Sequence, residues 1–184
     1  MPFGITIMKF IFLLITLPVS IILFSQFNEK FIDWSTEKKL SWDDFKGNAI
    51  KNGDVAALTA THLGFSYNIV NGKISYTIEC RFEKNKSWGK VKTNWILNHE
   101  QGHFDIAEIF SRKLFKAVSA YQFNRSTFQS DLDFIYQKIV EEKDQYQQLY
   151  DLETDHSRNK LKQEEWWKKI SEDLNDLKSW ANYN

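Results

Sequence analysis

Cysteine is nearly absent. The 184-residue sequence has one, Cys80, so no internal disulfide and no cysteine-based zinc cage can form, and any metal has to sit on histidine, aspartate or glutamate. An excess of one charge is missing too. The 24 lysines and arginines balance 24 aspartates and glutamates, with no long run of either sign, which argues against nucleic acid as a partner. The chain also lacks an apolar run of full membrane-spanning length: the stretch at residues 10–24 covers 15 positions, where a span needs about 20. There is no internal repeat and no low-complexity tract. What remains is 42% apolar and 26% charged, a balance that fits neither a disordered chain nor a multi-span membrane protein. The length suits one compact domain, and the 16% aromatic content suits a core of large side chains.

Residues 10–24 read FIFLLITLPVSIILF, preceded by Lys9 and followed by Ser25, Gln26 and the polar Asn28, Glu29 and Lys30. This is the layout of a secretory signal peptide, with Pro18 interrupting the apolar stretch and Met8 offering an alternative start. Cleavage after Ser25 would leave Gln26 first and residues 26–184 as the domain; an uncleaved segment would serve as an N-terminal anchor. Either way the domain is expected outside the cytoplasm, periplasmic or extracellular, and in touch with the membrane only through that segment.

The exported part divides into a sheet region and a helical region. Residues 57–70 and 73–82 flank Asn71-Gly72, a strong hairpin turn signal. Ile74, Tyr76, Ile78, Cys80 and Phe82 alternate with polar neighbours, so Cys80 falls on the apolar face as a structural thiol. His62 reads as a sheet residue. From about Lys92 the apolar period becomes helical, through Ile96, His99, His103, Ile106, Phe110 and Leu114 to about Tyr121. Further helices are expected over 127–149 and 161–180. The expected fold is α+β: a small antiparallel sheet packed on the first helix, with two more C-terminal helices.

That first helix contains His99-Glu100-Gln101-Gly102-His103, an HExxH pattern. At about 100° per residue, His103 lies about 40° from His99 and one turn along, so both imidazoles reach one ion while Glu100 borders the same site. Two neutral imidazoles and an adjacent carboxylate are the requirements of zinc hydrolysis: ligands for Zn2+ and a base for the water it acidifies. Both histidines lie on the apolar stripe, whereas a chance match would more often fall on a loop or a solvent face. Gly102, unfavourable in mid-helix, marks either close packing or simple tolerance.

A catalytic zinc needs a third protein ligand. Glu108 and Asp105 point to other sides of the helix, about 180° and 240° from His99. The cluster Tyr150-Asp-Leu-Glu-Thr-Asp-His156 remains, with His156 as the leading choice and Glu153 and Asp151 as carboxylate alternatives. Tyr150 or Arg158 is expected to supply an oxyanion donor.

LSWDDFKG at 40–47, ALT at 57–59, SW at 87–88, HEQGHFDIAE at 99–108 and YDLETDH at 150–156, followed by Gln163 and Trp166, together resemble a bacterial family of predicted secreted zinc-dependent proteases, also described as a domain of unknown function. The resemblance spans about residues 34–170. It implies a zincin-like peptidase with His99 and His103 as ligands, Glu100 as acid and base, and a role for the 150–156 cluster. Members often have His-Gly where this chain has His156-Ser157. The expected activity is hydrolysis of peptide or protein substrates. Two alternatives stand beside it: a zinc amidase acting on cell-wall peptides, and an exported binding domain with structural zinc whose Trp166, Trp167 and Trp180 face a partner.

Overall fold

The structure, a computed structural model, describes residues 30–50, 54–70 and 73–183. The expected signal segment at 1–25 and the Asn71-Gly72 turn lie outside the described residues. Strands β1 (Phe31–Asp33), β2 (Ala57–Leu58), β3 (Thr61–Val70), β4 (Lys73–Glu83) and β5 (Trp88–Gly89) precede three helices: α1 (Asn94–Ser119), α2 (Phe128–Thr154) and α3 (Lys160–Asp176). Single 3-10 turns occupy Trp42–Asp44 and Lys178–Trp180.

The class is α+β, as the change of period from two to 3.6 implies. β1, β4 and β3 form an antiparallel sheet in that order, and β2 pairs with β5 in a second small one. The β3–β4 register sets Leu63 opposite Cys80 and Phe65 opposite Ile78, so the alternating apolar positions share one face. Ile78, Cys80 and Phe82 are buried on it, and burial pushes the Cys80 thiol well above its ordinary pKa, in keeping with a structural cysteine. His62 stands exposed on the outer side, level with Arg81.

α1 starts where the Thr93 side chain accepts the Ile96 amide, and its inner face packs Ile106, Ile109, Phe110 and Leu114 with Leu63 and Ile78. It is covered by the sheet, by α2 and by α3, so even its polar residues Gln101, Glu108 and Arg112 are buried. The exclusions of Glu108 and Asp105 hold in space. Arg112 Nε donates to Glu108 Oε1 at 2.7 Å, and Asp105 accepts from Trp34 Nε1 at 2.7 Å.

Two helix ends differ from expectation. α3 stops at Asp176 and a 3-10 turn follows, while α2 runs five residues beyond Leu149, to Thr154. The extension is held by burial: Tyr150 and Thr154, one turn apart, both face inward, and Thr154 Oγ1 donates to the Tyr150 carbonyl at 2.6 Å. Trp166 is buried, and the half-buried Trp180 packs on Phe115 with ring centroids 6.0 Å apart. Among the described residues no helix is long and apolar enough to cross a membrane.

Ile106 is fully buried under the sheet, whereas Leu152, three residues before the left-handed turn, is 77% exposed. Ile106→Ala is expected to lower unfolding stability by about 2–5 kcal/mol and Leu152→Ala by less than about 0.5 kcal/mol, as urea denaturation would measure.

Candidate metal centre

The extra turn of α2 builds the site. Carried on the helix instead of a loop, Asp151 is delivered between the two motif histidines. Its Oδ1 lies 3.2 Å from His99 Nε2 and 3.1 Å from His103 Nε2, and the two Nε2 atoms are 3.3 Å apart. These three residues form a group able to hold a metal ion among the described residues.

The outer nitrogens of both rings are fixed by glutamines. Gln147 Nε2 donates to the His103 carbonyl at 2.9 Å, which turns its Oε1 toward His103 Nδ1 in a short hydrogen bond. Gln163, on α3, donates through Nε2 to the Tyr150 hydroxyl at 2.7 Å and so presents Oε1 to His99 Nδ1, also at 2.7 Å. Each Nδ1 must then carry the proton, which leaves both Nε2 lone pairs facing the Asp151 carboxylate. Three acceptors at this spacing repel one another unless a cation or a proton sits among them. Ligands at about 2.0–2.1 Å in tetrahedral array are separated by about 3.3–3.4 Å, so the observed spacing fits zinc.

The electrostatics agree. Burial opposes the charge on both partners, yet the Asp151 carboxylate raises the pKa of His103, and the two imidazoles hold the Asp151 carboxyl well below the usual carboxylate range. Tyr150 closes the back of the site. Its ring stacks on His99 at 4.6 Å between centroids, and its hydroxyl donates to the His99 carbonyl at 3.1 Å. Gly102 permits this approach, because a Cβ there would lie 2.4 Å from the Tyr150 hydroxyl oxygen. Close packing, not tolerance, explains the mid-helix glycine.

Several expectations about the 150–156 cluster are revised. The third member of the donor group is Asp151 and not His156: α2 ends at Thr154, and Asp155, His156 and Ser157 all take left-handed backbone angles (φ 48°, 50° and 72°) that turn the chain away. His156 Nδ1 comes to 3.5 Å from Asp151 Oδ1 on a half-exposed side chain. Glu153 points elsewhere and accepts from Trp166 Nε1 at 2.8 Å. As oxyanion donors neither expected residue fits, since the Tyr150 hydroxyl is committed and buried while Arg158 pairs with Asp155 in solvent. Sequence reasoning missed the roles of both glutamines: Gln163 figured only in the family resemblance, and the signal for Gln147 is its place one turn before Asp151 on the same face.

A cavity of about 420 Å³ adjoins the donor group. His99, Glu100, His103, Asp151 and His156 line it, together with Val55 to Thr59 around β2 and Lys143, Asp144 and Gln147 of α2. Glu100 is 4% exposed, and its Oε2 has no hydrogen-bond partner among the described residues.

The family model described as a bacterial protein of unknown function (DUF922) matches residues 26–157, and the chain belongs to that family. The match takes in His99, Glu100, His103 and Asp151 and stops before α3, which supplies Gln163. No curated protein and no solved structure matches the chain.

Purified protein is expected to bind about one zinc ion per chain. Asp151→Ala should weaken binding at least about a hundredfold, while His156→Ala should leave stoichiometry and affinity within about threefold, measured by competition with a chromophoric chelator. Gly102→Ala gains about 1 kcal/mol of helix propensity but collides with a pinned ring. A net loss of about 1–3 kcal/mol in unfolding stability is expected, with weakened zinc binding as His99 is displaced.

Proposed function

We propose that this member of the family is an exported zinc-dependent peptidase in which His99, His103 and Asp151 hold the ion and Glu100 moves the proton. The observation that carries the reading is the buried Glu100 carboxylate: the residue lines the same cavity as the three donors, and its Oε2 has no partner among the described residues. A carboxylate oxygen out of water with no donor is costly, and such a group is retained where a reaction uses it. Three protein donors among the described residues, rather than four, leave one position for chemistry, which favours a catalytic over a structural ion.

Zinc in such a site supplies Lewis acidity toward a carbonyl oxygen and lowers the pKa of water to about 7. The residues of the chain do the rest. Gln147 and Gln163 accept from the outer ring nitrogens and aim both Nε2 atoms inward, and Asp151 offsets the charge. Glu100 takes the proton of the attacking water and returns it to the departing amine nitrogen, recovering its own charge for the next cycle. The substrate would lie in the cavity lined by β2 and α2, and the resemblance to predicted secreted zinc-dependent proteases supports a peptide. Export is supported by the apolar segment at residues 10–24.

Glu100→Gln tests the division of labour. It is expected to keep about one zinc per chain and the wild-type unfolding midpoint, while hydrolysis of a mixed peptide library drops about a hundredfold or more. Turnover equal to wild type would remove Glu100 from the mechanism.

A further inference from the structure

Among the described residues that line the cavity, Lys143 is the one lysine or arginine. It stands on α2 with Gln147 and Asp151, at spacings of four and eight residues that set the three in a row along one face. Its stem is covered, with 13% of the side chain exposed, whereas its ion-pair partner Asp144, at 2.8 Å, is 56% exposed. A pair whose acid lies largely in water is weak and exchanges readily. The ammonium is therefore held in place by packing of the stem, and a second carboxylate can join or replace Asp144 with little further ordering of the lysine. Nearby, Val55, Leu58 and Ile96 contribute apolar surface to the same cavity, suited to side chains of a peptide whose charge is met elsewhere.

We propose, on the reading of the site as a peptidase centre, that Lys143 selects peptides bearing a carboxylate, on an acidic side chain or at a free C-terminus, three to four residues from the bond that is cut. The interval follows from two repeats. Eight helical residues from Lys143 to Asp151 span about 12 Å, and an extended peptide advances about 3.3–3.4 Å per residue.

The test uses hexapeptides in three forms: one glutamate placed at each position in turn with an amidated C-terminus, glutamine in its place, and the glutamine form with a free C-terminal carboxylate. Binding is read by fluorescence anisotropy on zinc-loaded Glu100→Gln protein, and cleavage by mass spectrometry with zinc-loaded wild type. Peptides with a carboxylate are expected to bind about 10–100-fold more tightly than their amide counterparts and to be cut three to four residues away from it. The glutamate and free-terminus series show which source is used. Lys143→Met, which keeps the buried stem, should erase the difference while leaving zinc stoichiometry and affinity for the glutamine peptides unchanged; Lys143→Glu should favour lysine-bearing peptides instead. Equal binding of glutamate and glutamine peptides, no binding of any peptide, or a preference that survives Lys143→Met would overturn the proposal. Cleavage without a carboxylate preference removes the role of Lys143 and leaves the peptidase reading intact. A Lys143-dependent preference in binding, without cleavage by wild type, does the reverse.

Discussion

Tyr150 must lie against the backbone of α1, and the donor group depends on that one contact. The ring is fully buried, stacked on His99 and edge-on to His103 at 4.9 Å, with its hydroxyl on the His99 carbonyl and the Gln163 amide on the hydroxyl. Three helices meet at this phenol. Only glycine at 102 lets the ring come so near, and the helix position next after Tyr150 is Asp151. The distance of α2 from α1 is thus set by an uncharged aromatic contact, and the carboxylate is carried to its place as a consequence. Burial pushes the Tyr150 hydroxyl far above its ordinary pKa, so it stays a donor. A geometry imposed by packing does not need metal to draw the helices together, and preorganisation of this kind keeps ligands in place through a reaction.

The other side of α1 solves a related problem without an ion. Glu108 and Arg112, one turn apart, are 2% and 4% exposed. Burial raises the Glu108 pKa, while the Tyr183 hydroxyl and the Arg112 guanidinium, both donating to its carboxylate, pull against that rise. Arg112 spends a further donor on the Leu174 carbonyl at 2.7 Å, beside the end of α3. Every charge there has a protein partner. Glu100 Oε2, on the same helix, has none among the described residues, so the two buried carboxylates of α1 stand in opposite states of satisfaction.

How much of this was legible in the sequence depends on how local the determinant is. The β3–β4 hairpin, the α1 stripe and the pairing of His99 with His103 follow from periods of two and 3.6 over contiguous residues, and they are found where those periods put them. Asp151 was visible only as one of three alternatives, because where α2 ends is decided by the burial of Tyr150 and Thr154 against another helix. A polar run such as YDLETDH reads as a helix end until that tertiary contact is known. Histidine preference then pointed to His156, the better zinc ligand by chemistry but the wrong side of the helix terminus. The roles of Gln147 and Gln163 are likewise defined by the fold: the one-turn spacing of Gln147 from Asp151 has meaning only once Asp151 is placed, and Gln163 enters the sequence reading only through the family resemblance.

The terminus itself accounts for the position of His156. Three consecutive residues without glycine in the left-handed region are costly, each by about 1 kcal/mol or more, so surrounding contacts must hold them. The His156 amide donates to the Asp151 carbonyl at 2.9 Å and the Asn159 amide to the Thr154 carbonyl at 2.8 Å. The indole of Trp95, from the first turn of α1, donates to the Ser157 carbonyl at 2.8 Å. Ser157, at φ 72°, occupies the place where glycine is often found in the resembling family, and glycine there would be free of the Cβ penalty. Retaining serine at this angle means that the turn is held from α1 and not by the intrinsic preference of its residues. The same indole that anchors the turn belongs to the helix bearing His99 and Glu100, so the wall formed by His156 and Ser157 is tied to the motif helix and keeps its place over the cavity.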